Sequence, residues 1–259
     1  MLYPLLRILV LSAFVGTVPK KGEIVYVDNT SFSNKENFLA SWGYSYPWGP
    51  EHNGTARMYD SQVKVDGGIL TIEADRLPAP EGKSKHSPYL PINYHSGAVH
   101  LKQIITVSDS LPNWTISGDF QAPVVPGSWP AFWITGVDNW PPESDIMELK
   151  GDDTVWQNTI TGPDYKDVHW ATNKTKVKKA ATGWHNYKAT LDKIDTTHVR
   201  ITYFVDDKKI AQDTTNFMNK RFWLVINLQM EGSSGDSGPS APTVMRARNI
   251  YVAARPSKQ

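Results

Sequence analysis

The sequence contains no cysteine, almost no net charge and, beyond its first residues, no long apolar run. Zero cysteines among 259 residues exclude disulfides, a thiol nucleophile and thiolate metal sites. Lys+Arg 27 against Asp+Glu 26 leaves a net charge of +1, without the basic excess typical of nucleic-acid-binding proteins. No later segment approaches the roughly 20 apolar residues of a membrane-spanning helix. We therefore expect no nucleic-acid or membrane partner, and a fold held by the core of a chain that is 40% hydrophobic.

The first residues have the pattern of a secretory signal. One positive charge precedes the apolar residues 8–15, and small residues follow. This stretch is too short to cross a bilayer, so we expect residues 1–17 to be a signal peptide and residues 18–259 to form one domain. A buried strand is the alternative for the same residues. The sequons at Asn29, Asn53, Asn113 and Asn173 agree with a secreted, glycosylated protein. We expect an extracellular monomer.

Short β-rich runs, separated by glycine and proline, account for most of the chain. Their number and the turn signals between them indicate an all-β sandwich or barrel. Helix signals are weak, with a turn or two expected at residues 34–42 and 215–220. The lysine-rich residues 174–179 are interpreted as an exposed loop. The predicted strands cover residues 68–74, 96–103, 115–121, 131–135, 145–150, 155–161, 185–192, 198–205, 208–212, 222–230 and 245–253.

Three carboxylates, Glu143, Asp145 and Glu148, lie within six residues of one another, directly after a tryptophan-rich run. In a strand the first two side chains point to one face and Glu148 to the other. A β-bulge at Ile146 or Met147 would add one residue and bring all three acids to the same face. Two glutamates on one strand favour the short carboxyl separation of retaining glycosidases, ~5–5.5 Å, over the ~6.5–9.5 Å of inverting enzymes.

The three acids suit glycoside hydrolysis, because three crowded like charges cannot all ionise freely and at least one pKa must rise. The group with the raised pKa can protonate the leaving oxygen, an ionised one can attack the anomeric carbon, and the middle acid can orient the nucleophile. An exposed acidic edge strand is the alternative. The apolar side chains before and between the acids, and the absence of basic neighbours, argue against it.

The chain resembles glycoside hydrolase family 16, the group of laminarinases and lichenases. Trp-Pro-Ala-Phe-Trp at residues 129–133 and Glu-Ser-Asp-Ile-Met-Glu at residues 143–148 carry the resemblance, which extends over nearly the whole mature chain. Its bulged acid motif resembles the β-1,3-glucanase branch, and fungal members of the family include β-1,3-galactanases. The resemblance implies a concanavalin-like β-jelly roll, a sandwich of two antiparallel sheets with a cleft across the concave one.

The same resemblance implies that Glu143 is the nucleophile, Asp145 its helper and Glu148 the acid/base. It places sugar-contacting side chains at Trp133 and Trp140, a cleft histidine beside the acid/base at His169, and Asn227 on a strand that crosses the cleft. For Trp170, the sequence favours neither a place in the cleft nor one in the core. The chain departs from the family after Asn227, where Gln229 and Glu231 would be additional polar contacts to the glycan. No cofactor and no metal site are expected.

The expected function is therefore that of a secreted, endo-acting, retaining hydrolase of a 1,3-linked β-glycan, either β-1,3-glucan or β-1,3-galactan. A carbohydrate-binding lectin with the same sandwich but no turnover is one alternative. A transglycosylase is another, since it uses the same residues and differs only in whether water or a sugar reaches the glycosyl-enzyme.

Overall fold

The structure is a computed structural model that describes residues 19–257, so the expected signal peptide lies outside the described residues. One α-helix, α1 (Lys35–Ser41), accompanies eighteen strands in this part of the chain. The strands are β1 (Ile24–Val27), β2 (Trp42–Tyr44), β3 (Ala56–Met58), β4 (Val63–Asp66), β5 (Ile69–Arg76), β6 (Tyr94–Ser96), β7 (Ala98–Leu101), β8 (Ile105–Thr106), β9 (Asn113–Gln121), β10 (Ser128–Gly136), β11 (Glu143–Leu149), β12 (Thr154–Asp164), β13 (Asp167–Lys176), β14 (His185–Lys193), β15 (Val199–Val205), β16 (Lys208–Thr215), β17 (Arg221–Met230) and β18 (Thr243–Arg255).

The strands form two sheets. The ten-stranded sheet has the order β16-β15-β14-β9-β18-β5-β6-β3, with β1 beside β18 and β4 beside β5. The eight-stranded sheet has the order β13-β12-β11-β10-β17-β7-β2, with β8 beside β17. Every pair is antiparallel except β3 and β6, and neighbours in space are often distant in sequence, as in a jelly roll. The predicted all-β sandwich is confirmed.

The core lies between the two sheets, and it determines which side chains of β10 and β11 face outward. Phe132 of β10 packs against Phe120 of β9, with ring centroids 4.9 Å apart, and both rings are fully buried. The Ser144 hydroxyl of β11 lies 2.7 Å from the Tyr203 hydroxyl of β15. Burial of each such aromatic side chain stabilises the fold by about 1.5–3 kcal/mol. Because strand side chains alternate, Asp145 beside Ser144 points away from the core.

Of the two short helical segments expected from the sequence, the first is confirmed and the second is wrong. Residues 34–42 do contain a helix, α1, and the Asn34 side chain caps its first turn by accepting a hydrogen bond of 2.9 Å from the Asn37 N–H. The expected turn of helix at residues 215–220 is wrong, because Thr215 ends β16 and Asn219 adopts a positive φ of 57°. None of the helices in residues 19–257 has the length and apolar composition needed to span a bilayer.

β13 was not predicted, and it includes part of the lysine-rich segment interpreted as a loop. It is the outermost strand of the eight-stranded sheet, and most of its residues are exposed. An edge strand with two solvated faces has no apolar alternation to reveal it, and lysines are typical of such edges because they discourage pairing with other chains. β13 nevertheless matters for the site, since it supports β12 next to the acid strand.

Candidate active site

A β-bulge in β11 brings the three acids to one face of the eight-stranded sheet. On the β10 side, Phe132 pairs with Met147 and Trp133 pairs with Asp145, which leaves Ile146 without a partner. The pairing of β11 with β12 shifts over the same stretch, between Asp145 and Glu148. Buried Ile146 and Met147 fill the core while the acids on either side of them face outward. The bulge predicted at Ile146 or Met147 is confirmed.

The acids open onto one cavity of about 660 Å³ on the outer face of this sheet. The volume suits a segment of a few sugar residues, within the usual range of ligand pockets of roughly 300–1,000 Å³. Residues of β10, β11, β13 and β17 and of the loops between strands contribute to its walls. The lining includes Trp48, His52, Asn53, His86, Trp129, Trp133, Trp140, Glu143, Asp145, Glu148, Lys150, Trp170, Asn227, Gln229 and Ser233.

Three donors surround the Glu148 carboxylate. Its Oε1 accepts a 2.6 Å hydrogen bond from the Trp129 indole N–H and lies 3.3 Å from Lys150 Nζ. Its Oε2 accepts a 2.9 Å hydrogen bond from Asn158 Nδ2, which also donates to Asp145 Oδ2 at 2.7 Å. One amide nitrogen therefore connects the carboxylates of Asp145 and Glu148, and Glu148 is held from both sides.

Burial and mutual repulsion keep the acid cluster partly protonated. Desolvation, together with the charge of Glu148, raises the pKa of Glu143 to about 8, although the Trp140 indole N–H donates to its Oε2 at 3.0 Å. Burial, followed by the charges of both glutamates, raises the pKa of Asp145 well above its ordinary value, against the hydrogen bond from Asn158. The cluster thus retains at least one proton near neutral pH, as the crowding of three carboxylates predicts.

Trp133 forms part of the cavity wall, whereas Trp140 and Trp170 present open faces. Trp133 is only 5% exposed, stacks on His52 at 5.7 Å between ring centroids, and donates from its indole N–H to Asn227 Oδ1 at 2.7 Å. Trp140 and Trp170 are 38% and 56% exposed, with ring centroids 6.4 Å apart. An exposed indole beside a cavity can stack on the apolar face of a sugar ring, so these two rings are the better platforms.

Gln229 lines the cavity, but its amide is already engaged by the backbone. Its Oε1 accepts hydrogen bonds from the N–H groups of Ala56 at 2.7 Å and Met230 at 2.9 Å, and its Nε2 donates to the Ala56 carbonyl. Gly54 lies so close that an added Cβ would stand 2.4 Å from the Gln229 side chain. Gln229 therefore fixes the loop before β3 against the cavity floor.

Two expected contacts are corrected by the structure. His169 does not lie beside Glu148: it pairs with Thr161, five residues along β12 from Trp156, the partner of Glu148. Five strand residues span about 17 Å, and His169 is exposed next to Asp167 at 3.6 Å. Its position in the sequence gave no information on the register of β13 against β12.

Glu231 is likewise not among the residues that line the cavity. It is 3% exposed and forms an ion pair at 3.2 Å with Arg76, whose side chain is exposed. Its carboxylate also accepts hydrogen bonds of 2.9 Å from Thr55 and Asn93. A buried carboxylate needs such partners, and here they come from the protein itself, so Glu231 joins the end of β17 to the loops around it.

Several residues of the site were missed in the sequence. Lys150, two residues after Glu148, is a basic neighbour of the acids, so the expectation that they have none is wrong. Strand alternation, which places both side chains on one face, could have found it. Asn158 lies in a predicted strand but resembles any isolated asparagine until its register opposite Asp145 is known. His52 and His86 come from loops whose approach to the cavity depends on tertiary structure. Within residues 19–257, no group of three or more His, Asp or Glu side chains has a metal-binding arrangement.

Comparison with known proteins agrees with the fold. No family model matches the chain. The chain is 40% identical, over 244 residues, to a galactan endo-β-1,3-galactanase of Flammulina velutipes, covering 92% of this chain and 93% of the relative. The structure is similar to an endo-1,3-β-glucanase of Streptomyces sioyaensis, with a TM-score of 0.66, 21% identity and coverage of 92% and 98%. A non-specific endo-β-1,3(4)-glucanase from family GH16 also has a TM-score of 0.66, at 16% identity and coverage of 92% and 93%.

The jelly roll with three acids on one bulged strand is typical of a carbohydrate-active enzyme. The similarity in sequence identifies the family. The chain belongs to glycoside hydrolase family 16, in its laminarinase-like branch.

Proposed function

We propose that the protein is an endo-acting, retaining β-1,3-glycanase whose substrate is β-1,3-galactan. Endo-acting cleavage of a 1,3-linked β-glycan is common to the galactanase relative and to the similar glucanase structures. Galactan is favoured over glucan because the galactanase relative is 40% identical over 92% of this chain, whereas the glucanase structures are near 20%. The observation that carries the proposal is the convergence of Glu143, Asp145 and Glu148 on one cavity.

In the proposed double displacement, Glu143 is the nucleophile and Glu148 the acid/base. The three acids titrate as one coupled cluster, and the reactive microstate is the one in which Glu143 is ionised and Glu148 carries a proton. The Glu143 carboxylate attacks the anomeric carbon while Glu148 transfers its proton to the leaving oxygen, which breaks the glycosidic bond. Water then attacks the anomeric carbon, Glu148 takes one of its protons, and the bond between Glu143 and the sugar breaks. Both acids lie on one bulged strand, which suits the short carboxyl separation of ~5–5.5 Å that retention requires.

Asp145 acts as the helper through its retained proton. With its pKa raised well above the ordinary value, a protonated Asp145 can donate a hydrogen bond to the Glu143 carboxylate from the neighbouring outward position. Such a bond orients the attacking oxygen and moderates the repulsion between the two glutamates. The Trp140 N–H supports the same carboxylate from the other side at 3.0 Å.

A lectin without turnover is disfavoured by the energetics of the site. Keeping three carboxylates together in a half-closed cavity raises their pKa values and costs stability, and binding alone does not need this cost. A transglycosylase shares all of these residues, and what separates it from a hydrolase is whether a sugar or water attacks the glycosyl-enzyme.

The test is release of reducing ends from β-1,3-galactan, laminarin, lichenan and xyloglucan, with the Glu143→Gln variant as control. The proposal predicts release from galactan in preference to the glucans, with chain length falling early as in endo cleavage, and a loss of several orders of magnitude in the variant. Release that persists in the variant would remove Glu143 from its role. Binding without release would support the lectin, and longer products formed from short acceptors would support the transglycosylase.

We further propose that residues 1–17 are a cleaved signal peptide and that residues 18–259 form one secreted, monomeric domain. The support is the charge, apolar run and small residues of the first segment. N-terminal sequencing of protein recovered from culture medium tests the cleavage site, and a protein retained in the cell would contradict it. Light scattering behind a sizing column tests the monomer.

A further inference from the structure

We propose that Asn158 is a positioning residue of this active site, joining the helper and the acid/base through a neutral bridge that Thr172 locks in place. The inference rests on the proposed glycanase function, since it concerns the same reaction. It assigns a role to a side chain that neither accepts nor gives up a proton and that the acid motif itself does not contain.

The register of three strands places this bridge. Asp145 of β11, Asn158 of β12 and Thr172 of β13 are successive cross-strand partners, so their side chains lie in a row on the outward face. Asn158 is 1% exposed. Its Nδ2 donates to Asp145 Oδ2 at 2.7 Å and to Glu148 Oε2 at 2.9 Å, which uses both of its N–H groups. Glu148 reaches the same nitrogen only because the bulge turns it to this face.

Thr172 determines the orientation of the amide. Its hydroxyl donates to Asn158 Oδ1 at 2.8 Å from the strand outside β12. With the amide reversed, Oδ1 would face two carboxylates and Nδ2 would face a hydroxyl, a less favourable arrangement. The edge strand β13, most of which is exposed, therefore acts on the reacting carboxylates through one hydrogen bond.

The bridge favours the charged form of Asp145. A hydrogen bond donated to a carboxylate favours its charged form and lowers its pKa, and Asn158 opposes the rise that burial causes at Asp145. Because the amide carries no charge, it does this at every pH. The titratable and charged groups on the cavity side are Glu143, Asp145, Glu148 and Lys150 of the acid strand and its extension, Lys174 of β13, and His52 and His86 of the loops that line the cavity. On the core side, the Tyr203 hydroxyl donates to the Asn158 carbonyl at 2.9 Å.

The first test is the Asn158→Leu variant, which keeps similar volume but has no donor. We expect kcat to fall roughly 10- to 100-fold with KM changed less than about twofold, since a charge-assisted hydrogen bond to a reacting group is worth about tenfold or more in rate. The pH profile of kcat/KM should move to higher pH, because Asp145 loses a donor that favours its charged form. In Asn158→Ser, one hydroxyl can serve only one carboxylate, and the loss should be intermediate.

Thr172→Val is the matched variant that leaves Asn158 intact and removes only its lock. We expect a fall in kcat of about two- to fivefold and a smaller shift of the profile in the same direction. It also decides the question if both Asn158 variants fail to fold, as judged by circular dichroism and melting temperature. Folded Asn158 variants with the wild-type kcat and profile, or with a loss in KM alone, would overturn the proposal, as would an unaltered Thr172→Val if it is the only folded variant.

A readout that does not depend on turnover separates this inference from the proposed function. The carboxyl carbon chemical shift of Asp145, followed by NMR over pH, should show an apparent pKa that rises in Asn158→Leu relative to wild type. If wild-type protein releases no sugar from any glycan, the function fails while the NMR result still decides the role of Asn158. Unchanged titration curves would contradict the bridge whatever the activity.

Discussion

Neutralising Glu143 should stabilise the fold at alkaline pH and have little effect at acidic pH. In the folded protein, desolvation and Glu148 raise the pKa of Glu143 to about 8, whereas an unfolded glutamate titrates near 4.5. Between these values the unfolded state has lost a proton that the folded state keeps. Stability therefore falls as pH rises from about 4.5 to 8, and is not lost at lower pH. Glu143→Gln removes this dependence and can still accept the hydrogen bond from Trp140.

The magnitude follows from the two pKa values. Each unit of pKa is worth about 1.36 kcal/mol, so the difference sets an upper bound of roughly 5 kcal/mol at pH 8. The protons are shared among three acids, so only part of this difference belongs to Glu143. We therefore expect a gain of about 2 kcal/mol in the variant at pH 8 relative to pH 4. For a chain of this size, that corresponds to roughly 4–8 °C in melting temperature.

The assay is thermal unfolding of wild type and Glu143→Gln at pH 4 and pH 8 in the same salt. Glu73→Gln is the matched control, because Glu73 is exposed on β5 and lies outside the cavity. It should unfold like wild type at both pH values. A difference between wild type and Glu143→Gln that is the same at both pH values, or larger at pH 4, would refute the link between the acid cluster and stability.

Three further results are expected. Trp170→Ala should raise KM about fivefold with kcat nearly unchanged, since loss of a stacking face costs about 1 kcal/mol. The control His169→Ala, measured in the same steady-state assay, should change neither constant by more than about twofold. Glu231→Leu leaves the Thr55 and Asn93 donors without their acceptor, so it should destabilise the fold by about 1–3 kcal/mol in denaturant unfolding. An unchanged stability with a raised KM would instead make Glu231 a sugar contact. In secreted protein, mass spectrometry should find a glycan removed by Asn29→Gln, because Asn29 is exposed, and none at Asn53, which lines the cavity.

The sequence predicted the fold class and the bulge for physical reasons that are local. Parity of strand side chains required one extra residue between Asp145 and Glu148 if both were to reach one face, and the structure has it at Ile146. Repeated short strands with turn signals predicted the sandwich. Both inferences depend only on the spacing of residues along the chain, which can be read directly from the sequence.

The unpredicted features depend on relations across strands. Asn158 becomes part of the site only through its register with Asp145 and Thr172. His169 was placed by its neighbours in sequence, although five residues of strand separate its cross-strand partner from that of Glu148. Glu231 is a polar residue of the kind that contacts sugars, but its carboxylate pairs with Arg76 instead. The two residues are far apart in the chain, so the sequence does not indicate this pair. Register and long-range pairing are set by the packed core, which a single sequence does not display.

Trapping of the glycosyl-enzyme tests the central claim most directly. A 2-deoxy-2-fluoro derivative of a β-1,3-linked galacto-oligosaccharide with an activated leaving group slows the second displacement, so a covalent intermediate accumulates. Peptide mapping by mass spectrometry should then locate the sugar on Glu143, and the Glu143→Gln variant should remain unlabelled. A label on Glu148, or turnover of the native substrate with inversion and no label at all, would contradict the assignment of the two glutamates on the bulged strand.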